Sequence, residues 1–228
     1  MSSKILKFFE IDSTNLESKR IIDSKTILND LQSNIIVTAQ VQTQGRGRLD
    51  RNWVSLQGNM MFSIVIPKAW VKNFNTLPAC VCLAIFREIS PNIDVKFKWP
   101  NDLLIIENDI PKKFCGVLIE THGEFLIVGI GINLVDNPFE ITIFPSTHLQ
   151  KYGIQISNEE KINASLLEIL NDNQVEVLKK WQEMNYFQGK NVKINGIEGI
   201  FEGVDENFSV ILKNNAKEAR IITFGDVS

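Results

Sequence analysis

Val95-Lys-Phe-Lys-Trp-Pro-Asn-Asp-Leu-Leu-Ile-Ile106, followed by Phe114-Cys-Gly-Val-Leu-Ile-Glu120 and Phe125-Leu-Ile-Val-Gly-Ile-Gly-Ile-Asn-Leu134, decides the fold. The run reads as four strands in close succession: Val95–Trp99, Leu103–Ile106, Phe114–Glu120 and Phe125–Leu134. Natural turn formers, Glu-Asn-Asp at 107–109 and Gly123, separate them and point to hairpins. Upstream, Ile5–Ile11 reads as an opening strand, and Thr14-x-x-Glu17 as a capping box for a helix with Leu16, Ile21 and Ile22 on its apolar face. Ile35–Ala39 reads as a short apolar strand of the buried kind, Met60–Pro67 as a second strand, and Leu77–Ile89 as a buried helix. Downstream, Ile162, Leu166, Ile169, Leu170, Val177 and Trp181 mostly follow i, i+3/i+4 spacing, which predicts an amphipathic helix over Asn158–Trp181. Beyond Tyr186 the pattern changes to short alternating runs punctuated by glycines, the mark of a small all-β module. The layout is α+β: a domain over 1–185 with a mixed or antiparallel sheet and helices on one side, then a small β barrel over 186–228.

Composition narrows the function classes. The chain has 228 residues, 44% apolar and 22% charged, which is ordinary for a globular protein. A net charge of −3 provides no basic field for nucleic acid or an anionic membrane. The longest apolar runs fall far short of the ~20 residues that span a bilayer. The odd count of 3 cysteines does not describe a disulfide framework. A soluble, cytoplasmic protein without membrane association is the expectation.

Several segments have residue types suited to chemistry. In Gln42-Thr-Gln-Gly-Arg-Gly-Arg-Leu-Asp-Arg-Asn-Trp53, glycines alternate with arginines directly after a buried strand. Glycines let backbone amides approach a ligand, and arginines offer charged forks matched to carboxylate and phosphate oxygens. The same composition also suits a solvated basic loop. Lys96-Phe-Lys-Trp-Pro-Asn-Asp102 reads either as a strand ending in a turn or as the support of Asp102, a hard oxygen ligand for Mg²⁺ beside a nucleotide. In Lys112-Lys-Phe-Cys-Gly-Val-Leu-Ile-Glu120, a lysine entering a buried strand either snorkels to the surface or stabilises oxygens that gain charge in a transition state. Gly129-Ile-Gly-Ile-Asn133 is a weak dinucleotide fingerprint, and strand glycines more often mark close backbone or ligand approach. His122 and His148 lack partners at zinc-ligand spacing, Cys80 and Cys82 read as core, and Cys115 lacks a histidine that would mark a nucleophile.

Together and in this order, the segments closely resemble biotin protein ligase over nearly the whole chain. Ser13-Thr-Asn15, Gln42 with Gly45-Arg-Gly-Arg48, Trp53, Lys98-Trp-Pro-Asn-Asp102, Lys113-Phe-Cys-Gly-Val-Leu-Ile-Glu120, Gly129-Ile-Gly-Ile-Asn133 and the final Phe-Gly-Asp-Val-Ser carry the resemblance. It implies a catalytic domain resembling class II aminoacyl-tRNA synthetases, with an SH3-like C-terminal barrel. It also implies a two-step ligation: biotin and ATP, with Mg²⁺, give biotinyl-5′-adenylate and pyrophosphate, and a lysine of a biotin carboxyl carrier domain then displaces AMP.

By motif position the resemblance assigns Lys113, Arg46 and Arg48 to catalysis, closing over the biotin carboxylate and the α-phosphate. It assigns Ser13, Thr14, Asn15, Gln42, Gly45, Gly47, Leu118, Gly129 and Gly131 to biotin. Trp53, Asn101, Asp102, Ile132 and Asn133 fall with the nucleotide, together with Arg48 and Lys113, and Asp102 is the candidate metal ligand. Lys113 is chosen over Lys112 because alternation places it on the face of Cys115 and because Lys-x-x-Gly spacing leads to Gly116. Two departures stand out: Asp50 where the family has a second glycine, and a longer stretch between Asp102 and Lys113. The Ser-Thr-Asn motif begins at residue 13, leaving no room for the helix-turn-helix domain of the family's repressors, so a ligase that does not bind DNA is expected. Dimers occur in the family, and a homodimer through the outer sheet face is compatible with the sequence. The rival readings are a lipoate or octanoate ligase of the same fold and a non-catalytic module that binds biotinyl-AMP or a carrier.

Overall fold

The computed structural model describes residues 3–24, 34–49, 51–89, 93–138, 145–214 and 218–227. Asp50 and Ser228, both singled out in the sequence, lie outside them. Seven strands form the main sheet: β1 (Ser3–Ile11), β2 (Asn34–Gln42), β3 (Met60–Pro67), β4 (Val95–Lys98), β5 (Asp102–Glu107), β6 (Ile110–His122) and β7 (Phe125–Ile132), in the order β1-β2-β3-β7-β6-β5-β4. Only β1 and β2 pair in parallel, joined through helix α1 (Thr14–Ser24); the other pairings are antiparallel. The central strands β3 and β7 are buried nearly end to end, which explains why their sequences are apolar but for Ser63.

Helices α2 (Leu77–Arg87), α3 (Glu159–Asn171) and α4 (Gln174–Glu183) lie over one face of the sheet, where Phe62, Ile64, Val128 and Ile130 join Ile85, Leu166 and Trp181 in one core. The expectation of helices on one side holds for these three. α1 covers the opposite face, where Ile21 and Ile22 pack on Ile35, Val37, Val65 and Ile127. The single helix expected over Asn158–Trp181 is two. Asp172 leaves helical geometry, and the Asn173 side chain caps α4 by accepting from the Val175 N–H at 3.0 Å. The capping box at Thr14 is also not what forms. The Thr14 N–H is capped from a distance by Gln42 Oε1 at 2.8 Å, and the Thr14 hydroxyl contacts Gln42 and Ser63.

A second, antiparallel sheet follows: β8 (Asn191–Ile194), β9 (Ile197–Val204), β10 (Val210–Lys213) and β11 (Ala219–Ile222). Val227 returns to bridge Ile194, so the chain end closes against β8. This sheet shares its core with the helical face of the main sheet: the rings of Trp181 and Phe208 meet edge to face at 4.8 Å. Trp99 Nε1 donates to the Phe208 carbonyl at 2.9 Å. The turn after β4 therefore ties the small sheet to the large one.

Candidate active site

On the α1 face the sheet is hollow. Gly116, Leu118, Gly129 and Gly131 stand side by side on β6 and β7, and the missing side chains open a cleft of about 790 Å³. That volume suits a small-molecule ligand. The glycines are needed because neighbours already occupy the space: a Cβ on Gly129 would lie 2.4 Å from Asn15 Oδ1, and one on Gly131 would lie 2.4 Å from the Trp53 ring.

One end of the cleft is cationic. Asp102, at the start of β5, is buried, with Lys113 Nζ 2.8 Å from Oδ1 and Lys98 Nζ 3.5 Å from Oδ2. Burial pushes the Asp102 carboxyl up, but Lys113 and Lys98 outweigh it and hold it below its ordinary range. Burial pulls the Lys98 ammonium down, opposed by the same carboxylate. Lys113 reaches this position through a bulge. The register of β5 and β6 shifts between Leu103 and Leu104, so an extra residue, Phe114, separates Cys115 from Lys113. Strict alternation would set Lys113 on the face of Cys115, as expected from sequence. Instead Cys115 is fully buried in the core, while the Lys113 ammonium lies over Gly116 in the cleft. The Lys-x-x-Gly spacing thus led to the lysine that lines the cleft, while the alternation argument misplaced its face. Lys112 pairs with Glu107 and does not line the cleft.

The glycine-arginine segment folds back on itself over this end. Gly47 N–H donates to the Arg51 carbonyl at 2.7 Å and Trp53 N–H to the Gly45 carbonyl at 3.0 Å. Arg48 is held by three acceptors: Asn101 Oδ1 at 3.2 Å, Asp226 Oδ1 at 3.1 Å and the Gly225 carbonyl at 3.1 Å. Burial lowers the Arg48 pKa, against the pull of Asp102, and the guanidinium stays charged. Arg51 also pairs with Asp226.

The other end is lined mainly by neutral side chains. The N-terminus of α1 brings Ser13, Thr14 and Asn15 to the cleft beside Gln42, and behind them Ser63 is fully buried, 2.8 Å from Thr14 Oγ1 and 2.6 Å from Asn15 Oδ1. Arg46 reaches this side, 3.3 Å from Glu120, which also holds Asn15 and Lys19.

The cleft wall therefore brings together most of the residues expected from sequence: Ser13, Thr14, Asn15, Gln42, Arg46, Gly47, Arg48, Trp53, Asn101, Asp102, Lys113, Leu118, Gly129, Gly131 and Asn133. Gly45 and Ile132 are not on it; Ile132 is fully buried in the core beneath. Sequence reasoning gave no role to Lys98, Arg51, Ser63, Glu120 or Asp226. Lys98, Glu120 and Asp226 stood inside quoted motifs, and Ser63 was visible as the one hydroxyl in an otherwise apolar strand.

Asp102 does not fit a resident divalent ion. Both of its oxygens are in ion pairs with lysines, and among the described residues no group of three or more His, Cys, Asp or Glu could hold a metal. Nor is any helix of the described residues long and apolar enough to cross a membrane.

Residues 10–135, more than half of the chain, match the model of the biotin/lipoate A/B protein ligase family, and the protein belongs to that family. It is 25% identical over 228 residues to the bifunctional ligase/repressor BirA of Escherichia coli K12, covering 90% of this chain and 68% of that protein. It is 31% identical over 137 residues to the biotin–[acetyl-CoA-carboxylase] ligase of Paracoccus denitrificans, covering 56% of this chain and about half (53%) of that one. Its fold is similar to that of the biotin protein ligase from Aquifex aeolicus in complex with biotin and ATP, with a TM-score of 0.73 and 26% identity over 99% of this chain and 97% of the other.

Proposed function

We infer that the protein is a biotin protein ligase: it joins biotin to ATP as biotinyl-5′-adenylate and passes the biotinyl group to a lysine of a carboxylase's biotin carboxyl carrier domain. The observation that carries this reading is the polarity of one cleft, with Lys113, Lys98 and Arg48 clustered at one end and Thr14, Asn15 and Gln42 at the other. Biotin has the matching polarity, a carboxylate at one end and a neutral ureido group at the other. An octanoyl or lipoyl chain has no polar group for the neutral end, where Thr14 and Asn15 would stay buried against hydrocarbon.

In the first step a biotin carboxylate oxygen bonds to the α-phosphorus of ATP as the bond to the β-phosphate bridging oxygen breaks and pyrophosphate leaves. Two anions must approach, so the barrier is largely electrostatic. Lys113, anchored on Asp102, supplies a fixed cation whose value grows with the charge on the transferring oxygens. Arg48, from the folded-back loop, closes over the carboxylate and phosphate, and Arg46, paired with Glu120 at the other end, would have to leave that ion pair to join it, shielding the mixed anhydride from water. Trp53, Asn101 and Asn133 line the nucleotide side, and Gly129, Gly131 and Leu118 lie against the bicyclic ring. Mg²⁺ arrives on the phosphates as part of MgATP. In the second step the carrier's lysine amine attacks the acyl carbon, an amide forms and AMP departs with the anhydride oxygen. The C-terminal module borders the cleft through Asp226 and Val227.

The test is transfer to a purified apo carrier domain in the presence of MgATP and biotin, read by intact-mass spectrometry. One added biotinyl group, lost when the acceptor lysine becomes arginine, is expected. No mass gain on any biotin carrier domain would overturn the assignment.

A further inference from the structure

Two large apolar side chains stand in solvent on either side of the hydrogen bond that ties the glycine-arginine segment to the C-terminal tail. Arg48 donates to the Gly225 carbonyl at 3.1 Å. Next to Arg48 is Leu49, 68% exposed, and next to Gly225 is Phe224, 72% exposed. Neither lines the cleft, whereas Arg48, Asp226 and Val227 do, so the two residues flank it on its outer rim. Exposed apolar side chains scattered singly are ordinary, and Val175 at the start of α4 is as bare, at 71%. Leu49 and Phe224 differ in how their backbones are held.

Arg51 N–H donates to the Arg48 carbonyl at 3.2 Å, closing a turn that contains Leu49 at φ 53°. That left-handed backbone suits glycine, asparagine or aspartate, and a bulky side chain adopts it only under strain. Leu49 gains little burial in return, so the stability of the fold does not account for a leucine there. Phe224 is not exposed through slackness. Its carbonyl accepts from Asn195 Nδ2 at 2.8 Å, the following carbonyl accepts from Arg48, and Val227 bridges Ile194 on β8. Between them Gly225, at φ 137°, has no room for a side chain, because a Cβ would lie 2.7 Å from Asn195 Oδ1. Two pinned backbones therefore hold out an aliphatic and an aromatic side chain, and a surface fixed in this way loses little freedom when it binds.

We propose that Leu49 and Phe224 form a docking surface for the acceptor protein, against which a folded carrier domain lays an apolar patch while its lysine enters the cleft. The inference rests on the ligase reading above. The occupant follows from the place of the two residues. In the second step the amine must reach an acyl carbon held inside the cleft near Lys113 and Arg48. A folded domain that inserts one side chain there has its own surface against the rim, where Leu49 and Phe224 stand. A small substrate enclosed in the cleft touches neither, since neither lines it. The surface thus serves the protein acceptor and no earlier step, with Phe224 as the aromatic anchor.

The experiment compares the full chain as wild type, Leu49→Asn, Phe224→Ser and Val175→Ser. Biotin-dependent ATP–pyrophosphate exchange reads the first step. Biotinyl hydroxamate, formed with loss of AMP when hydroxylamine replaces the carrier, reads acyl transfer without docking. Steady-state transfer to a purified apo carrier domain reads both together. Leu49→Asn and Phe224→Ser should each raise the carrier KM about tenfold, with kcat, exchange and hydroxamate formation close to wild type. Val175→Ser should change none of them. Thermal melting should find Leu49→Asn at least as stable as the wild type, because asparagine accepts the left-handed turn, so its defect cannot come from misfolding. That variant carries the test if Phe224→Ser does not fold. An unchanged carrier KM in either folded variant would overturn the inference, as would a fall in exchange matching the fall in transfer, or an equal rise in Val175→Ser. A wild type without biotin-dependent exchange would instead overturn the ligase reading.

Discussion

The two ends of the cleft solve different problems with different materials. At the Lys113 end, two lysines and an arginine crowd around one buried carboxylate, and the sequence must stabilise charge at the cost of burying it. At the Thr14 end a carboxylate, Glu120, also sits between two cations, Lys19 and Arg46, but apart from Arg46 the side chains lining the cleft there are small and neutral: Ser13, Thr14, Asn15 and Gln42. The first arrangement suits a step whose transition state gains charge. The second suits recognition of a neutral group that must be told apart from hydrocarbon. Substitutions at the first end should therefore act on rate, and those at the second on binding.

The sharpest way to break that division is Lys113→Ala. It should lower the rate of adenylate formation by about 10²–10³ and weaken biotin binding by a much smaller factor, since the ammonium also faces the ligand's carboxylate, measured by single-turnover kinetics beside calorimetry. A loss confined to biotin binding would erase the distinction between the ends. Asp102→Asn should come next, because it removes the carboxylate that pairs with buried Lys98, a destabilisation of about 3 kcal/mol in denaturant titration at neutral pH. The sign with pH follows from the folded carboxyl lying below its ordinary 3.8. Its contribution is fully present above that value and is lost as pH falls through the lower folded value, so wild type and Asp102→Asn should converge in acid. A gap that does not narrow at all as pH falls below 3.8 would contradict the ion-pair assignment.

Arg48→Gly should release the adenylate faster, by about 2 kcal/mol of lost charge-assisted hydrogen bonding, as followed in a chase with unlabelled biotin. At the neutral end, Gly129→Ala should cost about 1–2 kcal/mol of biotin affinity with little change in the rate of chemistry, because its Cβ would lie 2.4 Å from Asn15 Oδ1. An effect on rate alone would place Gly129 outside the biotin pocket.

What was legible in the sequence divides in a similar way. Local signals were clear: β3 was read at Met60–Pro67, a run apolar but for Ser63, and the hairpins after Val95 from their turn residues. Signals that depend on distant partners were not. Asn34–Gln42 and α1 exchange capping through Gln42, so the local capping box at Thr14 gave way to a tertiary contact. The break between α3 and α4 hides in Asp172 and Asn173, polar residues that also suit an exposed helical turn. The bulge that turns Lys113 into the cleft leaves no mark in the alternation pattern, and only the spacing to Gly116 pointed the right way. The charged end was visible because Lys, Arg and Asp clusters are conspicuous within motifs. The neutral end's supports were not, because a serine in a strand and a glutamate at a strand's end look ordinary until Ser63 and Glu120 are seen to meet Asn15.

The central claim, that one polarised cleft activates biotin, is tested most directly by ATP–pyrophosphate exchange with biotin, lipoate and octanoate in parallel. Exchange should appear with biotin and be absent with the two acids that lack a ureido group. Exchange with lipoate or octanoate and none with biotin would contradict it.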